Sequence, residues 1–115
     1  MKVSEETANA WLNGLFSDGA WLDMHTGDPG PAGISHNDGA TRVFVEFYAA
    51  SAGSISNKPA DGVVPSGDMT WTHFSLHSGV MDSELKWKDI LLTNVPVKSG
   101  VMVPLEAGAL VLSIG

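Results

Sequence analysis

The chain has 115 residues and no cysteine, so the sequence predicts one domain over residues 1–115 and excludes disulfides and thiolate zinc sites. Six basic and thirteen acidic residues give a net charge of −7, and the basic residues are scattered, which argues against a nucleic-acid partner. Charged residues make up only 17% of the chain, against roughly 25% in an average soluble domain, so we expect part of its surface to be buried against copies of itself or a partner protein.

The first predicted element is a helix near the N-terminus. Ser4 is a typical N-cap, and Glu5 and Glu6 place acidic groups at the positive end of the helix dipole. Helical spacing then predicts one buried apolar stripe, made of Ala8, Trp11, Leu12, Leu15 and Phe16. We expect the helix and its connection to occupy residues 1–19 and assign them no chemistry. The N-terminus lacks the apolar core of a secretory signal, and no apolar run approaches the ~20 residues of a membrane helix, so no membrane partner is expected.

The next two predicted strands, residues 20–26 and 42–49, each divide into two faces of alternating side chains, and each carries aromatic residues. In residues 20–26, Leu22 and Met24 form one face, and the other face consists of Trp21, Asp23 and His25. Glycine and proline in residues 27–33 end this strand. In residues 42–49, Val43, Val45 and Phe47 form one face, and the other consists of Arg42, Phe44, Glu46 and Tyr48.

The strand predicted over Met69–His77 is the one around which we expect the fold to be built. Strict alternation assigns its side chains to one face with Thr70, Thr72, Phe74 and Leu76, and to another with Met69, Trp71, His73, Ser75 and His77. Because both faces carry bulky side chains, the pattern is typical of a central strand or of one that contacts another subunit.

Short strands separated by turns complete the chain. We expect a short edge strand at Val63-Val64 within residues 50–68, a strand of ambiguous register at Leu85–Thr93, and several short strands after Val95. The sum is a mainly β protein, an antiparallel β-sandwich or jelly-roll-like barrel with one short N-terminal helix.

The polar residues do not form a catalytic or metal-binding motif. His73 and His77 are four strand residues apart, roughly 13 Å, which is too far for two ligands of one ion, so we interpret the histidines as imidazoles bonded to backbone or hydroxyl groups. The loop acids Asp28 and Asp38 are more typical of local turns than of a calcium loop. No nucleophile elbow, zinc-protease motif or phosphate loop is present, so the sequence predicts no enzyme and no cofactor.

Four segments, in order along the chain, resemble a family of small tailed-phage virion structural proteins, labelled tail-fibre-like, minor tail or head-decoration proteins. They are Trp11–Phe16, matching "LLxxLF"; Leu22–Gly33, matching "LHTxDPGxxG"; Met69–His77, matching "WxxVTHFGLFD"; and Pro96–Leu112, matching "PxxVxAGDxxxIPAGxLxLxL". Ser75 stands where the family pattern has glycine. The resemblance implies a structural role in a virion assembled in the host cytoplasm, as part of a symmetric oligomer, and no catalysis.

Two functions follow as hypotheses. The first is a homo-oligomer, expected to be a trimer, that binds the major capsid protein as a decoration or minor capsid protein, or else serves as a minor tail or tail-fibre component. The residues expected at the oligomer or shell interface are Trp21, Phe44, Tyr48, Trp71, His73 and Trp87. The alternative is a displayed carbohydrate-binding module that stacks host glycans on Trp21 or Trp87.

Overall fold

The structure is a computed structural model that describes residues 3–81 and 84–114. These residues form one α-helix and eight β-strands, and every strand pairs with a neighbour in the antiparallel direction. In chain order the elements are α1 (Glu5–Phe16), β1 (Ala20–His25), β2 (Val43–Val45), β3 (Ser54–Ser56), β4 (Ala60–Val63), β5 (Met69–His77), β6 (Leu85–Val97), β7 (Val103–Leu105) and β8 (Val111–Ser113). The prediction of a mainly β, sandwich-like protein with one short helix is confirmed.

Helix α1 starts where the sequence predicts. The Ser4 hydroxyl accepts a hydrogen bond from the backbone N–H of Thr7 at 3.1 Å, which satisfies one of the free donors of the first turn. Its buried stripe is narrower than predicted: Ala8, Leu12 and Phe16 are buried, whereas Trp11 and Leu15 are exposed. Spacing alone did not separate the two i, i+4 rows, because both lie on the apolar half of the helix.

The main sheet has four strands in the order β2-β1-β5-β6. Strand β5 pairs with β1 through an uninterrupted register from Trp21↔His77 to His25↔His73, so the two strands lie at the centre of the sheet. Strand β6 is an edge strand of 13 residues, longer than the predicted Leu85–Thr93. Strand β3 lies in a segment predicted as irregular, because Ser54-Ile-Ser offers only one apolar side chain to indicate a strand.

The pairing of β5 with β6 changes register near its middle. Trp71 pairs with Val95, but His73 pairs with Ile90, so residues 91–94 of β6 face a single residue of β5. The expected alternation along β5 therefore breaks: Trp71, Phe74 and Leu76 are all buried in the core, and Thr70 is exposed. The assignment of Trp71 to the face opposite Phe74 is wrong, because one irregularity in pairing moves the following side chains to the other face.

The core lies between one face of the main sheet and a second layer. That layer consists of α1 and two ribbons, β3 paired with β8 and β4 paired with β7. The side chains that fill the core include Leu12, Phe16, Leu22, Val45, Phe47, Ile55, Trp71, Phe74, Leu76, Leu105, Leu110 and Leu112. As predicted, Val43, Val45 and Phe47 share the inward face of the β2 segment.

A buried asparagine holds the turn between the last two strands. Asn57 donates hydrogen bonds from Nδ2 to the carbonyl oxygens of Lys58 and Glu106, each at 2.9 Å, and its Oδ1 accepts from the backbone N–H of Leu110 at 2.8 Å. Because every polar group of this side chain is used, its full burial costs little. These hydrogen bonds hold the turn between β7 and β8, two strands of the second layer that are only three residues long each.

Candidate functional site

The face of the main sheet turned away from the core carries a buried polar cluster. Strand β1 contributes Asp23 and His25, and β5 contributes Ser75 and His77, all of them 4% exposed or less. Antiparallel pairing places Asp23 directly beside Ser75, so the alternation of two neighbouring strands brings the four side chains together. We call these residues, with Arg42, the histidine–serine cluster.

A directed chain of hydrogen bonds connects the two histidines. Nδ1 of His25 lies 2.8 Å from the Ser35 carbonyl oxygen, which can only accept, so Nδ1 carries the hydrogen and Nε2 of the neutral ring is an acceptor. The Ser75 hydroxyl donates to that Nε2 at 2.7 Å and accepts from Nε2–H of His77 at 2.8 Å. Nδ1 of His77 is buried without a hydrogen-bond partner in the described part of the chain. The interpretation of these histidines as imidazoles bonded to backbone and hydroxyl groups is confirmed.

An ion pair lies at one side of the cluster. Nε of Arg42 donates to Oδ2 of Asp23 at 2.7 Å, and its Nη1 donates to the Gly79 carbonyl oxygen at 2.9 Å. The same Asp23 oxygen is 3.7 Å from Nε2 of His77, too long for a hydrogen bond but close enough for electrostatic attraction. The buried carboxylate is thus balanced by one guanidinium.

Residues 26–41, which we call the cover segment, close the cluster off from solvent. Pro29 and Gly33 of this segment are buried, and Gly33 has a φ of +71°, which favours glycine. A Cβ at Gly33 would lie 2.6 Å from Leu85 Cδ1 and 3.0 Å from His77 Cε1. The Asp28 carboxylate accepts from the Gly30 N–H at 2.9 Å, the local turn predicted for this acid. Because Gly33 has no side chain, the backbone of the cover segment can lie directly against the His77 ring.

Burial keeps both histidines neutral. Desolvation lowers the pKa of His25 below 6.5, opposed in part by the hydrogen bond to Ser35 and by Asp23. Desolvation also lowers the pKa of His77 below 6.5, and the Arg42 guanidinium lowers it further, while Asp23 and the Gly33 carbonyl act in the opposite direction. Neutral rings are what the directed hydrogen-bond chain requires.

The cluster resembles a Ser-His-Asp arrangement in composition but not in geometry. A catalytic triad needs an accessible serine and an acid that accepts from the far nitrogen of the histidine. Here the Ser75 side chain is fully buried, Nδ1 of His25 bonds a carbonyl, and Asp23 pairs with Arg42. Among residues 3–81 and 84–114, no group of three or more His, Asp or Glu side chains could hold a metal ion. The arrangement is suited to holding the cover segment on the sheet.

The predicted interface residues fall into separate places. Phe44 and Tyr48 are exposed, at 42% and 46%, on the outward side of edge strand β2 and the residues that follow it. Trp21 is partly buried with its ring centroid 5.3 Å from that of Phe44. These three residues form what we call the aromatic patch. Lys58 lies over the Tyr48 ring, 5.8 Å from its centroid.

The other three predicted residues do not join the aromatic patch. Trp71 is 1% exposed, and its indole N–H donates to the Asp38 carboxylate, so its side chain offers no surface to a partner and its assignment to an interface is corrected. Trp87 is partly buried with its ring centroid 6.1 Å from that of Phe16. His73 is partly buried and bonds the Thr72 hydroxyl at 2.7 Å. The sequence could not locate Trp71, because the irregular pairing of β5 with β6 decides its face.

Other exposed apolar side chains were not nominated from the sequence. Leu92 and Met81 are 75% and 74% exposed, and Trp11 and Leu15 form an exposed row on α1. An apolar cavity of about 320 Å³ lies between β6 and the β7–β8 region. Its lining includes Leu91, Leu92, Val95, Val103, Pro104 and Leu110. The described surface therefore carries several apolar areas.

A comparison with protein-family models gives no family that matches this chain. A search of curated proteins also gives no match. Within the described residues, no helix has both the length and the apolar character needed to cross a membrane.

Proposed function

We propose that this chain is a bacteriophage virion structural protein that forms a homo-oligomer, expected to be a trimer, on the particle. In this role it binds the capsid shell and stabilises it as a decoration or minor capsid protein, and it performs no catalysis. A place in the tail, as a minor tail or tail-fibre component, is the alternative location. The basis is the order of the four segments that resemble phage virion proteins, together with the properties of the surface.

The observation that carries the proposal is the exposed apolar surface of a chain with few charges. The aromatic patch lies at the β2 edge of the main sheet, where Phe44 of β2 and Tyr48, three residues after it, place two large rings in solvent. Interfaces between subunits are enriched in aromatic residues and depleted in charged ones. Burial of this patch between copies would remove apolar area from water at roughly 25 cal/mol per Å².

The enclosed histidine–serine cluster also supports a structural role. Its potential nucleophile and its bases are used in hydrogen bonds that hold the cover segment, and the cover segment leaves no path for a substrate to reach Ser75. The polar chemistry of the chain is thus consistent with building a stable subunit.

Equilibrium sedimentation tests the self-assembly. We expect the wild-type protein to sediment as an oligomer at tens of micromolar, and a Phe44→Ser, Tyr48→Ser variant to shift to the monomer. The matched control is Ile90→Ser, Leu92→Ser, which removes two exposed apolar side chains from the opposite edge strand and should leave the oligomer intact. A wild-type protein that is monomeric under these conditions contradicts the proposal, and loss of the oligomer in the control alone moves the interface to β6.

The position of the gene tests whether the protein belongs to the phage head or to the tail. A gene next to that of the major capsid protein favours decoration of the shell, and a gene downstream of the tape-measure gene favours the tail. A gene outside any cluster of virion genes would count against both locations.

A further inference from the structure

The cover segment is attached to the rest of the chain mainly at two places. Residues 33–35 contact the histidine–serine cluster, and the Asp38 carboxylate accepts hydrogen bonds from the Trp71 indole N–H and the Ser66 backbone N–H. Nδ1–H of His25 donates to the Ser35 carbonyl oxygen at 2.8 Å, the Ser75 hydroxyl is 3.4 Å from the Gly33 carbonyl oxygen, and Arg42, the residue that follows the segment, donates to Asp23. By contrast, its backbone hydrogen bonds to β1 are few, with Asp38 N–H donating to the Met24 carbonyl oxygen at 2.9 Å. The first of these two attachments lies directly on the histidine rings, so it is the one that a change in their charge would weaken.

Protonation of the histidines would unbalance the charges in this enclosed space. With neutral rings, the cluster holds one guanidinium and one carboxylate. Each proton gained by His25 or His77 adds a positive charge with no further carboxylate inside the cluster to balance it. When both rings are charged, two Nε2–H groups point at the single Ser75 oxygen. The hydroxyl oxygen can accept from both and turn its own hydrogen toward the Gly33 carbonyl oxygen, so it is the charge, and not the hydrogen bonding, that opposes closure.

The other charged groups around the cluster do not supply the missing negative charge. On β5, His73 pairs directly with His25 and its charge would add to the repulsion. On β6, exposed Lys88 forms an ion pair with Asp28 at 3.2 Å, so these two charges balance each other at the rim, where Asp89 also lies. In the cover segment, His36 is exposed and the Asp38 carboxylate already accepts from Trp71 and Ser66. Glu84, after β5, is exposed to solvent.

The structure offers a local way to relieve this charge. The cover segment contains no strand, and its only described bridge to β1 is His25↔Asn37, whereas β1 and β5 are joined by a continuous five-residue register. Few ladder hydrogen bonds and the bonds of Asp38 to Ser66 and Trp71 have to break for the segment to leave, while the register of β1 with β5 stays intact. Its opening therefore requires less free energy than unfolding of the sheet. Release of the segment would admit water to the charged rings.

We propose that residues 26–41 form an acid-sensitive cover: near neutral pH the segment is closed over the sheet, and protonation of His25 and His77 opens it while the four-stranded sheet stays folded. Opening uncovers Pro29, Leu85 and the outward face of β1 and β5. This inference does not depend on the proposed virion role, because it concerns the intact chain in solution.

Hydrogen exchange followed by mass spectrometry tests the proposal on the wild-type chain. Amides of residues 26–41 are compared at about pH 7.5 and about pH 5, after correction for the intrinsic exchange rate at each pH. We expect their protection to fall by about tenfold or more on acidification, because each proton bound only in the open form shifts the opening equilibrium. Amides of β1 and β5 should keep their protection. Unchanged protection of the segment, or equal loss across β1 and β5, overturns the proposal.

Variants assign the effect to the cluster. His77→Gln keeps an N–H donor near the position of Nε2 but cannot be charged, so it should reduce the pH effect on the segment by at least about threefold. His36→Gln, in the exposed histidine of the same segment, is the matched control and should behave like the wild type. A full wild-type response in His77→Gln contradicts the proposal.

A titration independent of any variant completes the test. Proton NMR of the wild-type histidine rings should show two of the four with a pKa below 6.5. If all four titrate at the ordinary value of an exposed histidine, the cluster does not resist protonation and the proposed cover has no acid-sensitive element.

Discussion

Ser75 donates its hydroxyl hydrogen to one histidine and accepts a hydrogen bond from another, so a single oxygen satisfies two buried rings. The family pattern that the chain resembles has glycine at this position, and a glycine could serve neither ring. Three further residues of the cluster, Asp23, His25 and His77, lie at alternating positions that the sequence already placed on one face of each strand. Their burial could not be predicted, because it depends on where a loop of 16 residues lies.

Replacement of Ser75 should therefore be costly. In Ser75→Ala, Nε2 of His25 loses its donor and Nε2–H of His77 loses its acceptor, both in the interior. We expect the free energy of unfolding to fall by about 3 kcal/mol, since each unsatisfied buried group costs about 1–3 kcal/mol. Urea unfolding of the wild type and of Ser75→Ala at neutral pH measures this difference in the free energy of unfolding.

The control for this substitution is Ser99→Ala, at an exposed position where only the backbone N–H is bonded. It should change the free energy of unfolding by less than about 0.5 kcal/mol. A loss below about 1 kcal/mol in Ser75→Ala would mean that water or a neighbouring group replaces the hydroxyl.

At the scale of secondary-structure elements, alternation correctly predicted which side chains share a face where strand pairing is regular, and it failed where the pairing is irregular. Strand β1 and the β2 segment divide into the predicted two faces, of which the one with Leu22 and Met24 and the one with Val43, Val45 and Phe47 contact the core. In β5 the prediction holds for Phe74 and Leu76 and fails for Trp71, because the extra residues 91–94 of β6 are a property of the pair and not of either strand. Strand β3, and with it the pairing of β3 with β8, was missed because three residues with one apolar side chain are too short a pattern to recognise.

The contact between α1 and β6 gives a second prediction. The last turn of α1 contains no basic residue, but Lys86 of β6 reaches across and donates from Nζ to the Leu15 carbonyl oxygen at 2.7 Å. This side chain satisfies a carbonyl at the negative end of the helix dipole. We expect Lys86→Met to lower the free energy of unfolding by about 1 kcal/mol and to raise fraying of the last turn, as followed by amide exchange of residues 13–17.

Lys98→Met is the matched variant, because Lys98 is an exposed lysine directly after the same strand. It should leave both readouts unchanged. If the two variants behave alike, the effect comes from removing a surface charge from an acidic protein and not from the helix end.

For the whole molecule, the class of fold was predictable from the number of short strands and turns, but the order of strands in the main sheet was not. Pairing of β1 with β5 joins residues about 50 positions apart, and no local pattern specifies such a partner. The candidate surface was predicted in part: Phe44 and Tyr48 lie outside the core, whereas the exposed residues of α1 and β6 were not foreseen.

The pH dependence of global stability is a property of the whole chain. His25 and His77 have folded-state pKa values below 6.5, so between those values and 6.5 the unfolded chain binds more protons than the native one. Stability is therefore full above about pH 7 and falls as the pH decreases through 6.5, by up to about 1.4 kcal/mol per pH unit for each histidine. Urea unfolding at a series of pH values measures the slope.

The carboxylate at Asp28 does not contribute in this window. The Gly30 N–H and Lys88 lower its pKa from 3.8, so its contribution is lost only in stronger acid. The double variant His25→Asn, His77→Gln should have a much shallower slope between about pH 7.5 and 5.5 than the wild type. A flat wild-type profile over that interval would show that the two rings do not resist protonation.

Strand β6 has a consequence for how copies of this chain can add to one another. Its free edge bears Lys88, which is exposed, the irregular residues 91–94, and Pro96, which has no N–H to offer an incoming strand. The opposite edge, β2, is only three residues long. A molecule that presents one interrupted margin and one very short one cannot propagate a continuous ribbon of backbone hydrogen bonds, so concentrated preparations should not grow into fibres by strand addition.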